Sequence, residues 1–296
     1  MSALIALTML LGNITSADGQ EPSILDVYKL PSRPADHRLF YGADSLQFGD
    51  LRLPDNPGPH PVAIIIHGGC WLPGPDLKYT AALSDALRNE GIATWNVEYN
   101  RVGHPNGGWP GTFSDIASAT DYVREIAEEF NLDLNRVVVV GHSAGGHLAL
   151  WVAARHKITP ESEIYRENPL PVVGVVALAA PVDMDNTVGP VYEYCRDSVV
   201  TKLLGGLPDE VPENYNNASP LRMLPIGVPR RLMVGDLDIP LLLEHLSVYS
   251  DSAAKLNEDI KLDTIQHVWH NELAVPGSIA WLRVRAAIKS LLQLPE

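Results

Sequence analysis

The chain has 296 residues, of which 46% are hydrophobic and 20% are charged. This is the composition of an ordinary soluble globular protein that can bury a sizeable core. The 22 basic and 36 acidic side chains give a formal net charge of −14. The field of such a charge repels nucleic acid and anionic membranes, so we expect no nucleic-acid partner and a preference for neutral or cationic ligands.

The first residues contain an apolar stretch at positions 3–11, followed by small and polar residues. This pattern resembles the core of a secretory signal, although the usual basic start is missing, and the stretch is too short to span a bilayer. We expect either a signal remnant of an exported protein, periplasmic or secreted, or an amphipathic helix of a cytoplasmic one. Residues 21–34 are polar and broken by prolines. Positions 1–34 are therefore predicted to form a signal-like segment or extended arm before a domain at 35–296.

Strand-like and helix-like segments alternate through the rest of the chain. The patterns predict strands at residues 37–42, 45–53, 62–66, 92–98, 137–140, 172–178, 231–234 and 261–265. They predict helices at residues 79–89, 112–130, 144–155, 242–256 and 278–292, the second with a capping-box-like start at Thr112. Residues 183–229 are irregular, with a helical piece at 199–204, and are predicted to cover a site. Repeated strand-then-helix order predicts a mostly parallel sheet with helices on both faces.

One short stretch, VVVVGHSAGGHLALW at residues 137–151, places a serine where a strand ends and a helix begins. Such a sharp turn lifts the Ser143 hydroxyl above the sheet and requires small residues two positions to either side, here Gly141 and Gly145. It also aims the Ala144 amide, at a helix N-terminus, toward a developing oxyanion. A glycine-rich helix start without chemistry is the alternative interpretation. The flanking strand and helix favour a nucleophilic serine.

A second motif, HGGCW at residues 67–71, follows an earlier buried strand. By itself it is equally consistent with a tight turn, because glycines also serve that purpose. Together with the serine turn, it resembles the oxyanion loop of the α/β-hydrolase superfamily, in the branch of hormone-sensitive-lipase-like esterases and arylformamidases. The resemblance covers roughly residues 38–296. It implies an α/β-hydrolase fold with a mostly parallel central sheet and helices on both faces, and the loop lengths indicate no large cap domain.

The resemblance also implies the remaining catalytic residues. In that superfamily the acid follows the next-to-last strand and the histidine follows the last one. The matching positions are Asp238, in GDLDIP, and His270, in HVWHNELAVP. Two departures, a tryptophan before the histidine and an early proline after the acid, leave Asp236 and His267 as second choices. A histidine that only supports the structure is the alternative for either position.

Other candidates complete the expected site. The amides of Gly68 or Gly69 and of Ala144 would hold the oxyanion, and Trp71, Trp109 and His142 are candidates for the substrate pocket, with loop support as the alternative for His142. No spacing of histidines and carboxylates resembles a metal site, and no phosphate loop is present, so we expect no cofactor and no metal.

The cysteine count limits what the two thiols can do. Two cysteines, Cys70 and Cys195, are too few for a disulfide scaffold or a structural zinc site. Two buried free thiols are the simpler expectation, and a single bridge in an exported protein is the alternative.

We therefore predict a serine hydrolase of the carboxylesterase kind that cleaves small esters through an acyl-enzyme intermediate. An arylformamidase-type amide hydrolase shares this chemistry and remains the alternative. A hydrolase-like protein that only binds ligands is the alternative from another class, although such proteins usually lack a catalytic residue. The expected partner is a small-molecule ester or amide, with no transmembrane span, and the sequence leaves the oligomeric state open.

Overall fold

The structure is a computed structural model that describes residues 21–188, 194–195 and 198–295. Eight strands form a sheet in the order β1-β2-β4-β3-β5-β6-β7-β8. The strands are β1 (His37–Phe40), β2 (Phe48–Arg52), β3 (His60–Ile66), β4 (Ala93–Val97), β5 (Leu132–His142), β6 (Gly174–Leu178), β7 (Arg230–Gly235) and β8 (Ile260–Ile265).

The sheet is antiparallel only at one side. Strand β2 pairs antiparallel with β1 and β4, and the pairs from β4 through β8 are parallel. The central strands are continuous apolar runs because helices cover both faces of a parallel sheet. All seven residues of β3 are buried, with Ile64 opposite Val139 of β5. The predicted mostly parallel sheet is thus confirmed.

Ten α-helices have their bounds within the described residues, together with three short 3-10 helices at Leu77–Thr80, Arg155–Lys157 and His270–Ala274. The α-helices are α1 (Ile24–Val27), α2 (Ala81–Asn89), α3 (Gly111–Asp121), α4 (Val123–Ile126), α5 (Ala144–Ala154), α6 (Met184–Thr187), α7 (Val199–Leu204), α8 (Pro212–Ala218), α9 (Pro240–Lys255) and α10 (Trp281–Leu291). Helix α5 is buried along its whole length, as its alanine- and leucine-rich sequence requires. The connection between β6 and β7 holds α6, α7 and α8, and its described part forms no separate cap domain.

The start of α3 differs from the prediction. The helix begins at Gly111, and no side chain caps it. The Thr112 hydroxyl accepts a hydrogen bond from the Gly108 amide and donates one to the Asn100 carbonyl. The predicted capping box is therefore wrong, because Thr112 already lies inside the helix and bonds the preceding loop.

The segment expected to be an extended arm is partly helical. Ser23 and Asp26 form a capping box around the single turn of α1. Val27 is buried against Tyr79 and Val275, so this turn is docked on the domain. The signal-like stretch at positions 1–20 lies outside the described residues. Within the described ranges, the helices are all too short or too polar to cross a bilayer.

Candidate active site

Ser143 lies at the turn between β5 and α5, in a backbone conformation that residues with a side chain rarely adopt. Its φ is 54° and its ψ is −121°. The turn is held by the Ser143 amide, which donates to the Leu178 carbonyl at 2.7 Å, and by the His147 amide, which donates to the Ser143 carbonyl at 3.1 Å. Positive φ at a residue with a Cβ stores strain that the surrounding structure must offset, and such strain clusters at functional sites.

The two flanking glycines have no room for a side chain. A Cβ at Gly141 would overlap the Gly145 carbonyl, and a Cβ at Gly145 would overlap the carbonyl of Ile66 on the neighbouring strand. Backbone atoms cannot move aside as the end of a flexible side chain can. The glycine spacing in the sequence is therefore a packing requirement of this turn.

An acid and a histidine face each other at the ends of β7 and β8. His270 Nδ1 lies 2.9 Å from both carboxylate oxygens of Asp238, whose Oδ1 also accepts from the Ile239 amide at 2.7 Å. A carboxylate only accepts, so Nδ1 carries the proton and Nε2 has a free lone pair. Both side chains are almost fully buried, at 1% exposure for Asp238 and 6% for His270.

The second-choice residues bond to each other instead. Asp236 Oδ1 accepts from the His267 amide at 2.6 Å, in an exposed position. Asp236 thus stabilises the backbone of the histidine loop, and His267, with a φ of 61°, occupies a turn. Neither side chain lines the cavities around Ser143.

The loop after β3 runs directly beside Ser143. A Cβ at Gly68 would lie 3.1 Å from the Ser143 Cβ, so the two chain segments touch. Three consecutive residues then have positive φ: Gly69 at 116°, Cys70 at 55° and Trp71 at 54°. Gly69 and Cys70 line the cavities and Gly68 does not. The Ala144 amide, at the first position of α5, belongs to the helix-end amides that lack an intrahelical partner.

Buried charges fix this loop from behind. His67 Nδ1 donates to the Gly68 carbonyl at 2.8 Å, and Arg101 Nη1 donates to the Pro75 carbonyl at 2.7 Å. Arg101 also pairs with Glu98 at 2.7 Å. Burial acts to raise the pKa of Glu98, but its contacts with His67 and Arg101 outweigh burial and lower the pKa to about 2.

Cys70 and Cys195 form a disulfide, with a Cα–Cα distance of 5.9 Å and a sequence separation of 125. The expectation of two free thiols is therefore wrong. The number of residues between two cysteines does not determine the distance between them. Here the fold brings the loop after β3 against the β6–β7 connection. The bridge joins two segments that both line the cavities beside Ser143.

Two cavities meet at Ser143. The narrow cavity, of about 50 Å³, has a mainly apolar wall that includes Trp71, Ile239, Leu241 and Leu242. The wide cavity, of about 510 Å³, runs along the loop of residues 69–75 to Asn271. The residues that line both cavities are Cys70, Ser143, Tyr194, Cys195 and His270. Ser143 thus stands at the junction, and no hydrogen bond between its Oγ and His270 is formed in the described structure.

The three candidates for the substrate pocket lie in three different places. Trp71, 1% exposed, lines the narrow cavity, and His142 lines the wide one. Trp109 lines neither, because its ring packs on Phe113 of the following helix with centroids 5.4 Å apart. Burial and the neighbouring His270 hold the pKa of His142 well below its ordinary value, so His142 is neutral.

Sequence reasoning missed several residues at the site. Tyr194 lies with its ring 5.3 Å from that of His270, edge to face. Its irregular segment carries no pattern that could have placed it. Asn271 and Tyr79 line the wide cavity. The position of Asn271 directly after His270 could have identified it as a site residue. Tyr79 was predicted only as the first residue of a helix. Within the described ranges, no cluster of His, Cys, Asp or Glu side chains could hold a metal ion.

We expect removal of the disulfide to destabilise the fold. Chain-entropy estimates for a loop of this size give about 4 to 5 kcal/mol, and measured losses are typically about 2–5 kcal/mol. Urea unfolding of the parent should shift to lower denaturant when a reductant is added. The matched double variant Cys70→Ala with Cys195→Ala should unfold early with or without reductant. Two cysteines open to alkylation in the unreduced, denatured parent would contradict the bridge.

Comparison with known proteins adds the family. Residues 50–239 match the family model BD-FAE. Esterase LipC of Mycobacterium tuberculosis is 28% identical over 212 residues, which cover 70% of this chain and 52% of that protein. An esterase of Gibberella moniliformis is 26% identical over 158 residues, covering 53% of this chain and 46% of that protein. The chain spans about half the length of these relatives.

Solved structures show the same fold. Esterase B of Lactobacillus rhamnosis, with a tributyrin phosphonate inhibitor, superposes with a TM-score of 0.74 at 20% identity and covers 91% of each chain. A carbohydrate esterase from gut microbiota superposes with a TM-score of 0.71 at 20% identity, covering 93% of this chain and 100% of that one. The expected α/β-hydrolase fold is confirmed. With the family model matching well over half of its residues, the chain belongs to the BD-FAE family of α/β-hydrolases.

Proposed function

We propose that the protein is a serine esterase that hydrolyses small carboxylic esters through an acyl-enzyme intermediate. The observation that carries this proposal is the position of Ser143 at the junction of two cavities, with His270 in both and Asp238 bonded to the far side of its ring. The relatives named as esterases support the same class of reaction.

The chemistry follows from the protonation of the imidazole. Because Nδ1 donates to Asp238, Nε2 is the base that takes the proton from Ser143 as Oγ attacks the ester carbonyl. The Asp238 carboxylate stabilises the imidazolium that forms. Nε2 then gives the proton to the departing alcohol, and a water molecule repeats the sequence on the acyl-enzyme to release the acid.

Backbone amides hold the negative charge of the tetrahedral intermediate. We assign this role to the amides of Ala144 and Gly69, with that of Cys70 as a third donor. Ala144 begins a helix, and Gly69 and Cys70 face the cavities. Gly68, the other expected donor, lines neither cavity and serves as the contact point behind Ser143. Fixed donors of this kind contribute roughly 3–4 kcal/mol each to the barrier reduction.

We assign one part of the substrate to each of the two cavities. The alcohol must leave and water must enter during one turnover, so the wide cavity is assigned to the leaving group. The acyl group stays on Ser143 and takes the narrow apolar cavity, whose volume of about 50 Å³ suits a short chain. A formyl group would also fit there, so an aryl formamide remains the alternative substrate and belongs in the same assay panel.

Replacing the nucleophile should abolish activity without unfolding the chain. Ser143→Ala keeps a Cβ of the same size in the turn but removes the attacking oxygen. We expect the rate of p-nitrophenyl acetate hydrolysis to fall by several powers of ten, as kcat does when the triad serine of other hydrolases is replaced. Circular dichroism should be unchanged. An alanine variant that retains most of the activity would refute the serine mechanism and would favour another nucleophile or a binding role.

The two aspartates provide a matched pair for the acid. Asp238→Asn should lower kcat by roughly 10⁴, because the amide favours the wrong imidazole tautomer. Asp236→Asn should cost at most about tenfold, roughly 1.4 kcal/mol of barrier, since that carboxylate bonds only a backbone amide. Steady-state kinetics of both purified variants compares them directly. A larger loss in Asp236→Asn would overturn the assignment of the acid while leaving the esterase proposal in place.

Acyl length should be limited by Leu241. Leu241 and His245 line both the narrow cavity and an outer recess, and Leu241 is the apolar one of the two. In a series of p-nitrophenyl esters the parent should prefer acetyl to butyryl, and Leu241→Ala should move the preference toward butyryl and longer chains. Val248→Ala, which changes only the outer recess, is the matched control. If Leu241→Ala alters the dependence on the alcohol instead, the two cavities have the opposite roles.

A further inference from the structure

The residues just before helix α1 reach the active site through Asn271, the residue after His270. Asn271 Nδ2 donates to Glu21 Oε1 at 3.2 Å and to the Pro22 carbonyl at 3.0 Å. These two acceptors identify the nitrogen end of the amide, so Oδ1 faces the Tyr79 hydroxyl at 3.1 Å. The arm is therefore bonded to the loop that carries the proposed base.

A second contact holds the backbone of the base itself. His142 Nε2 lies 3.0 Å from the His270 carbonyl, which can only accept, so Nε2 carries the proton. Because burial keeps His142 neutral, its Nδ1 is an acceptor. The Tyr79 hydroxyl lies 3.0 Å from His142 Nδ1 and 3.1 Å from Asn271 Oδ1, and its one proton can be donated to either of these two acceptors. Burial also raises the pKa of Tyr79 well above its ordinary value, so the phenol keeps its proton.

Apolar packing closes the same unit. Val27 of the arm, 3% exposed, lies in one cluster with Tyr79, Ala274 and Val275. Ala274 ends the 3-10 helix that begins at His270, and Val275 follows it directly. The neighbouring Ile24 lines the wide cavity. Leu25, on the same short helix, is 64% exposed and outside this cluster.

We propose that a positioning clamp for His270 is formed by Glu21, Pro22, Val27, Tyr79, His142 and Asn271. Asp238 holds the ring of His270 through Nδ1, and the clamp holds its backbone through the carbonyl. Two anchors at opposite ends fix the direction in which Nε2 points. The inference rests on the proposed function, since it concerns the geometry of the same base. Clamp residues need not touch the substrate, and they act through His270.

The expected loss of kcat follows from how strongly the catalytic rate depends on the position of the base. A displacement of about 1 Å can cost about a hundredfold in rate. Loss of one hydrogen bond in the clamp, with the packing intact, should displace the base less. Tyr79, His142 and Asn271 also line the wide cavity, so the test uses substitutions that keep the shape of the side chain there. For such a variant we expect a loss of about tenfold in kcat with KM within about twofold.

The first experiment removes single hydrogen bonds within the clamp in the full-length chain. Tyr79→Phe keeps the ring in its cluster and should lower kcat about tenfold for p-nitrophenyl acetate, with KM unchanged. His142→Leu should lose at least as much. His142→Gln retains an amide donor for the His270 carbonyl and should recover several-fold of that loss. Variants with parental kcat, or with KM alone raised, would overturn the proposal, as would equal activities of the leucine and glutamine variants.

The second experiment tests the arm. Val27→Ala should lower kcat several-fold in protein that is fully folded at the assay temperature, and Leu25→Ala should match the parent. Equal kcat in the two variants would contradict a role for the arm. Ser143→Ala separates this outcome from failure of the proposed function: if Ser143→Ala is inactive while the clamp variants are parental, only the clamp is refuted.

Discussion

The structure depends on the absence of space around one backbone turn. Ser143 is held at positive φ between a buried strand and a buried helix, and the flanking Gly141 and Gly145 contact backbone carbonyls with no room for a Cβ. That close approach brings the strand end, the helix N-terminus and the loop after β3 together at Ser143. A single added methyl group at Gly141 would overlap the Gly145 carbonyl, and one at Gly145 would overlap the Ile66 carbonyl.

The sequence predicted the parts of the site that follow from local chemistry. The glycine spacing, the strand before it and the helix after it predicted the turn at Ser143. The resemblance to the α/β-hydrolases implied Asp238 and His270, whose side chains the fold brings to 2.9 Å. These features are short-range or follow from parallel topology, in which the carboxyl ends of the strands meet at one edge. The helix start at Thr112 was misjudged because its hydroxyl bonds the preceding loop.

Long-range contacts were out of reach of sequence reasoning. The partner of Cys70 lies 125 residues away, and only the fold reveals that the two thiols form a bridge. The docking of residues 21–27 on Tyr79 and Asn271 likewise depends on side chains from three distant segments. Trp109, by contrast, makes a local contact: it was a candidate for the substrate pocket, but its ring packs on Phe113 of the helix that follows it.

The proposed base is held by unrelated parts of the chain. Asp238 comes from the end of β7, His142 from the end of β5, and the arm contributes through Asn271. The disulfide adds a covalent link between the loop after β3 and the segment of Tyr194, whose ring lies against His270. Such convergence is what precise placement requires, because a catalytic side chain is only as well oriented as the groups that support it.

The central claim is that Ser143 is the nucleophile that His270 activates. The most direct test is to treat the native parent with a fluorophosphonate and to map the modified residue by mass spectrometry of its peptides. The account predicts one adduct per chain, on Ser143, and no adduct in a parallel sample with His270→Ala over the same time. An adduct on another residue, or equally fast modification without His270, would contradict it.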